Sequence, residues 1–290
     1  MNHLLQQILG LLFLILGVGW GYRRWVRPHQ VDNRQRSLLV LIILTLIGGF
    51  VGSFGWWLDV PASFAWDLPP LAARMLAAAG WSFAVACWLV LERPSIPRLH
   101  LIILMLFIYL APLAIAIVLF HLDRFDWTAP ISYAFFVLVV PMTAVTIYHL
   151  FHPTSIIEVT DSPVTGWTRG WLWGTAVFTA LWGLALFITD DGGSALIWVW
   201  PGDLLTSRLI AVMLWTVAGT AVYALRSQES LPVALALATA YGVGVVVANL
   251  WNIAVFKPFY AGFFAILAIG SAIFLLQAKN SITKGIPDKG

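Results

Sequence analysis

The sequence predicts an all-α polytopic membrane protein of about nine transmembrane helices, one peripheral helix followed by two parallel four-helix repeats. Three observations predict it: composition, the length of the apolar runs, and a self-similarity at fixed spacing. Of 290 residues, 61% are hydrophobic and 10% charged, with a mean hydropathy of +0.90. A soluble domain carries about 25% charged residues, so water is not the main solvent. The sixteen Trp point the same way, because Trp collects at membrane interfaces. A transmembrane barrel would show alternating segments of about ten residues, and the long unbroken runs exclude it.

Crossing the hydrocarbon takes about 20 apolar residues. By that rule the spans run over 4–22, 38–58, 71–91, 99–120, 130–149, 170–189, 205–225, 231–250 and 259–278. No Lys or Arg precedes the first apolar run, and Gly19-Trp20-Gly21-Tyr22-Arg23-Arg24 is not a small-residue cleavage site, so this span reads as a retained helix rather than a signal peptide.

Charge sets the orientation. With the N-terminus outside and the C-terminus inside, the inner segments collect twelve basic residues: Arg23, Arg24, Arg27, Arg34, Arg36, Arg93, Arg98, Arg169, Arg226, Lys279, Lys284 and Lys289. The outer side receives four, Arg74, Arg124, Arg208 and Lys257. Excess Lys and Arg mark the cytoplasmic side. The cell membrane is the expected location. The pI near 9.2 does not imply a nucleic-acid partner, since the basic residues lie at helix ends rather than in one patch.

The self-similarity separates Trp66 from Trp200, Leu71 from Leu205, Arg74 from Arg208, Ala77 from Ala211 and Trp81 from Trp215 by the same 134 residues. Such periodicity marks a repeat architecture. The offset lays span 2 on 6, 3 on 7, 4 on 8 and 5 on 9. Partners four spans apart point the same way, so the repeats are parallel, related by an axis along the membrane normal. The chain divides as one transmembrane domain, 1–290: the first span and a basic inner loop (1–37), repeat one (38–150), an inner connector (151–169), repeat two (170–278) and an inner tail (279–290).

Each repeat carries an outer connector rich in aromatics. Trp66 and Asp67 lead into Pro69, Pro70 and the helix of Arg74; Trp198, Trp200 and Asp203 lead into the helix of Arg208. Trp66, Trp198 and Trp200 are expected at the membrane interface, with the arginines snorkelling upward. The sharper expectation is an outer vestibule lined by Arg74, Arg208, Asp67 and Asp203, for which the planar bidentate guanidinium is suited. Span 4 carries Pro112, and its partner span 8 carries Gly242 and Gly244. Interrupted helices at matching depth point to a binding site in repeat-built membrane proteins, where Tyr109, Tyr241 and Asn249 would supply polar groups. Close packing is the plainer explanation. Gly48 with Gly52, and Gly17 with Gly21, form small-residue faces for helix contacts.

The chemistry-bearing types are sparse. Cys87 lies in an apolar run and reads as a small buried hydrophobe. Of the six histidines, His149 and His152 fall one turn apart, without an acidic partner in that turn, so no metal site is expected. No catalytic motif is recognisable, and no cofactor can be named. No Asp, Glu, Lys or Arg occupies the middle third of any span, where ion-coupled pumps keep such groups. The expected function is therefore a subunit or scaffold packing with the lipid bilayer, hydrophobic cofactors or other membrane subunits through Gly-rich helix faces. The alternatives are a small-molecule or lipid transporter with a site between spans 4 and 8, and a lipid-directed intramembrane enzyme.

Overall fold

The computed structural model describes residues 3–28, 31–60, 63, 68–128, 130–152, 159–188 and 204–284. Among these residues the regular structure is wholly helical: α1 His3–Gly21, α2 Asn33–Trp57, α3 Pro70–Glu92, α4 Ile96–Phe120, α5 Pro130–Phe151, α6 Gly166–Ile188, α7 Leu204–Ala224, α8 Leu231–Trp251 and α9 Pro258–Lys284. The eight helices α2 to α9 each contain a stretch long and apolar enough to cross a membrane. The chain is therefore a multi-pass helical membrane protein. At the place of the first expected span stands α1, a helix of 19 residues.

The helix ends follow local chemistry. Asp32 caps α2 by accepting from the Gln35 backbone N–H at 2.7 Å, while the Gln35 side chain accepts from the Asp32 N–H at 2.9 Å, a reciprocal capping box. This polar first turn starts α2 ahead of its apolar run. Pro70 opens α3, and Pro97 and Pro232 sit in the first turns of α4 and α8, where a missing N–H costs nothing. Gly166, at φ +65°, opens α6 in a conformation that disfavours a side chain. Pro112 and Pro141 lie inside α4 and α5, and both helices continue past them.

Four helices form the centre. α3 packs on α8 and α4 on α7, while α2 lies along α3, α6 along α7, α5 along α4 and α9 along α8. α7 and α3 are the most enclosed spans and α5 the least. Glycines set several of the closest approaches. A Cβ on Gly49 would stand 2.6 Å from the Gly80 carbonyl oxygen, and one on Gly183 would stand 2.7 Å from the Trp215 ring and 3.0 Å from the Ala211 carbonyl oxygen. Thus α2 meets α3, and α6 meets α7, at backbone distance. Gly17 and Gly21 let α1 rest on Ile47 and Ile43 of α2, whereas Gly52 faces open space.

Candidate functional site

Arg74 and Arg208, 134 residues apart in the sequence, are both half-buried and bound in a similar way. Arg74 projects from the first turns of α3. Its Nε donates to the carbonyl of Trp57, the last residue of α2, at 3.1 Å, and its Nη1 donates to Asn252 Oδ1 at 2.5 Å. Its guanidinium lies 5.2 Å from the ring centre of Trp251. Arg208, in the first turns of α7, donates from Nε to the Phe187 carbonyl near the end of α6 at 3.4 Å. Its Nη1 stands 2.8 Å from His121 Nε2, and its guanidinium lies 4.9 Å from the ring centre of Phe120. Arg can only donate, so His121 Nε2 is the acceptor here.

Each arginine therefore ties together three helices. Asn252 and His121 are the C-cap residues of α8 and α4, and Trp251 and Phe120 are the last residues of those helices. A cation at a helix C-terminus is favoured by the macrodipole, and each guanidinium meets two such ends. The aromatic ring beneath adds a cation–π contact of about 0.5–2 kcal/mol depending on desolvation. Below lie the other residues paired at that spacing. Trp251 stacks on Trp57, which packs on Trp81; Phe187 stacks on Trp215, whose Nε1 donates to the Ala180 carbonyl at 3.2 Å. Leu71, Leu205, Ala77 and Ala211 are all buried. Asp67, Asp203, Trp66, Trp198 and Trp200 lie outside the described residues.

At the opposite helix ends a second cluster joins the α3–α4 and α7–α8 turns. Ser95 Oγ donates to Glu229 Oε1 at 3.1 Å, and Arg98 pairs with the same carboxylate oxygen at 2.9 Å. Arg98 also donates to the Glu229 and Leu89 carbonyls, and Arg93 approaches the carboxylate at 3.3 Å. Arg98 is only 7% exposed. Its charge is balanced in place, as a buried ion must be.

The α4–α8 level is densely packed. A Cβ on Gly244 would stand 2.5 Å from Ala78 Cβ on α3, and one on Gly242 would stand 2.7 Å from the Phe264 carbonyl on α9. Both glycines thus carry helix contacts. Pro112 is half-buried in α4, and Tyr109 packs edge-on against Phe83 at 5.0 Å. Tyr241 and Asn249 are fully buried. Among the described residues Tyr241 Oη, Asn249 Oδ1 and Tyr260 Oη have no hydrogen-bond partner. Most other polar groups at depth are engaged by their own helices. Thr45, Thr143, Thr179 and Thr216 each donate to the carbonyl four residues back, and Ser82 and Thr220 to the one three back. A cavity of about 10 Å³ beside Trp171, Thr175 and Ser271 has room for about one water.

The 134-residue spacing singles out the two arginines but not their acceptors. Phe120-His121 and Trp251-Asn252 are 131 residues apart rather than 134, because α8 has 21 residues where α4 has 25. A fixed-offset search passes over them. Ser95 and Glu229 do fall at the 134-residue offset, but a serine and a glutamate give no identity to detect.

Comparison of the chain with protein-family models, curated proteins and solved structures finds no match.

Proposed function

We propose that the chain is a membrane-embedded scaffold or subunit, held rigid at its centre, whose lipid-facing helices pack against hydrophobic cofactors, lipids or other membrane proteins. The observation that carries this reading is the commitment of Arg74 and Arg208. A vestibule for solute calls on freely presented guanidinium groups, and here each one is engaged through Nε and Nη1 by a carbonyl and a helix-end side chain, and lies against a ring. The packing of Gly244 on Ala78, and of Ile108 on Gly219, also speaks for a solid centre. The outward faces of α5, α6 and α9 offer the docking area, with Val137, Phe178, Leu181, Ile266 and Ile269 all exposed.

The same reading takes the two halves, α2–α5 and α6–α9, as parallel repeats. Its supports are the matched helix pairings and the two arginine clasps of like form. It takes α1 as a ninth, peripheral span, with the N-terminus outside and the C-terminus inside, on the strength of the basic-residue asymmetry. In a Cys87→Ala chain, a cysteine placed at Val60 is expected to react with impermeant maleimide from outside the cell. Reaction only after permeabilisation reverses the orientation.

The scaffold reading is tested by extracting the protein directly into polymer-bounded nanodiscs and weighing the particle by native mass spectrometry. A stoichiometric lipid, pigment or membrane subunit that survives dilution is the expected result. A bare chain that catalyses saturable solute uptake in proteoliposomes would overturn it. Transport is the second reading, favoured by the buried polar atoms of Tyr241, Asn249 and Tyr260, with a site between α4 and α8.

A further inference from the structure

We infer that the groove between α1 and α2 is a binding site for one anionic phospholipid, taken from the surrounding bilayer. The inference requires only that the chain lies in a membrane, and it is independent of the scaffold reading.

The groove has a volume of about 570 Å³ and is lined by Leu14, Val18 and Gly19 of α1, by Val40 and Leu44 of α2, and by Arg23. That volume lies within the range of about 300–1,000 Å³ usual for small-ligand sites. Its origin is local. Gly17 and Gly21 draw the two backbones together against Ile47 and Ile43, while a Cβ on Gly19 would meet nothing within 4 Å. One face of α1 is thereby fastened and the adjacent face left hollow. Residues 14, 18 and 22, like 15, 19 and 23, are four apart and share a helix face.

The occupant follows from the distribution of polarity. Below its polar end the groove offers only apolar side chains over about 13 Å of helix, so the upper part of a hydrocarbon chain fits it. Polar groups enter at one end, from Tyr22 and Arg23. These two begin the five-residue π-helical turn Tyr22–Val26, which buries Trp25 and Val26 and leaves Arg23 outside. The nearby carboxylate is already engaged: Glu92 pairs with Arg24 at 3.7 Å and accepts from Trp25 Nε1 at 3.2 Å. Among the described residues Arg23 has neither an ion pair nor a side-chain hydrogen bond. Arg27, Arg34 and Arg36 follow within the same polar segment, and such juxtamembrane basic clusters attract anionic headgroups. An acyl chain below and a phosphate-bearing anionic head above match the groove end to end.

The test uses the full chain, with thermal unfolding verifying that each variant is folded. Purified protein is offered phosphatidylglycerol or phosphatidylcholine of the same acyl chains, and retained lipid is counted by native mass spectrometry. The wild type is expected to retain one phosphatidylglycerol in preference to phosphatidylcholine. Arg23→Gln is expected to cut that preference about fivefold, the weight of one basic residue at an anionic surface. Gly19→Leu, which fills the hollow, is expected to abolish retention of both lipids. Arg34→Gln is the control for diffuse charge. Equal retention of the two lipids by the wild type, equal losses in Arg23→Gln and Arg34→Gln, or a doubled protein mass in place of a lipid adduct would each overturn the assignment.

Discussion

Ser95 donates a hydrogen bond to Glu229 across a sequence separation of 134 residues, the same spacing that separates Arg74 from Arg208. Two positions related by a twofold axis can touch only near that axis. On the proposed repeat reading such an axis would pass between the α3–α4 and α7–α8 turns, with the arginine clasps on either side of it at the other helix ends.

Loss of either clasp is expected to weaken the fold. Arg74→Ala and Arg208→Ala each remove charge-assisted hydrogen bonds, worth roughly 1.5–3 kcal/mol apiece, and a cation–π contact. Each variant should unfold earlier in detergent, followed by tryptophan fluorescence. Lysine should not restore the wild-type midpoint, because an ammonium lacks the planar fork that serves two acceptors while stacking on a ring.

The acceptors should be interchangeable. His121→Asn gives the α4 end the residue that caps α8, and is expected to retain most of the stability that His121→Ala loses. A double-mutant cycle between positions 121 and 208 should return a coupling of about 0.5–3 kcal/mol, as expected for residues in contact. Strict additivity would remove His121 from the clasp.

Neutralising Glu229 should cost more than neutralising Arg93. Glu229→Gln leaves Arg98 buried with its charge unbalanced, and breaking a buried pair costs about 3–5 kcal/mol. The Arg93 side chain is 54% exposed, so Arg93→Gln should change stability by about 0–1 kcal/mol. Unfolding midpoints of the two variants check the order.

The glycines should divide by the space around them. Gly49→Ala and Gly244→Ala place a methyl against the Gly80 carbonyl and against Ala78, and should lower the unfolding midpoint. Gly52→Ala and Gly174→Ala meet nothing within 4 Å, and should leave it unchanged or raise it slightly through helix propensity, about 1 kcal/mol at most.

The helical membrane class was legible in the sequence because apolar runs of spanning length admit few other solutions. The contacts of α2 to α9 were not, since every long span is apolar over much of its surface and periodicity does not say which face is turned inward. Gly17 and Gly21 were readable as a contact face, and they do seat α1 on α2. The Gly48–Gly52 spacing predicts such a face too, yet Gly52 stands open. Arg74 and Arg208 stand out because identical residues recur there at the 134-residue spacing. Their partners did not, because His121 and Asn252 look like ordinary helix-end polar residues until the fold brings them beneath the guanidinium groups.

On the proposed function the centre is rigid and its halves do not rock. Double electron–electron resonance tests it without knowledge of any substrate, using nitroxides on Cys87→Ala protein in lipid nanodiscs. One pair joins Leu58 to Ile253 and another joins Leu122 to Ile188; all four side chains are exposed, and each pair straddles a clasp. A single narrow distance for each pair is predicted. Two populations for either pair, exchanging between an open and a closed separation, would contradict the scaffold and favour an alternating-access transporter.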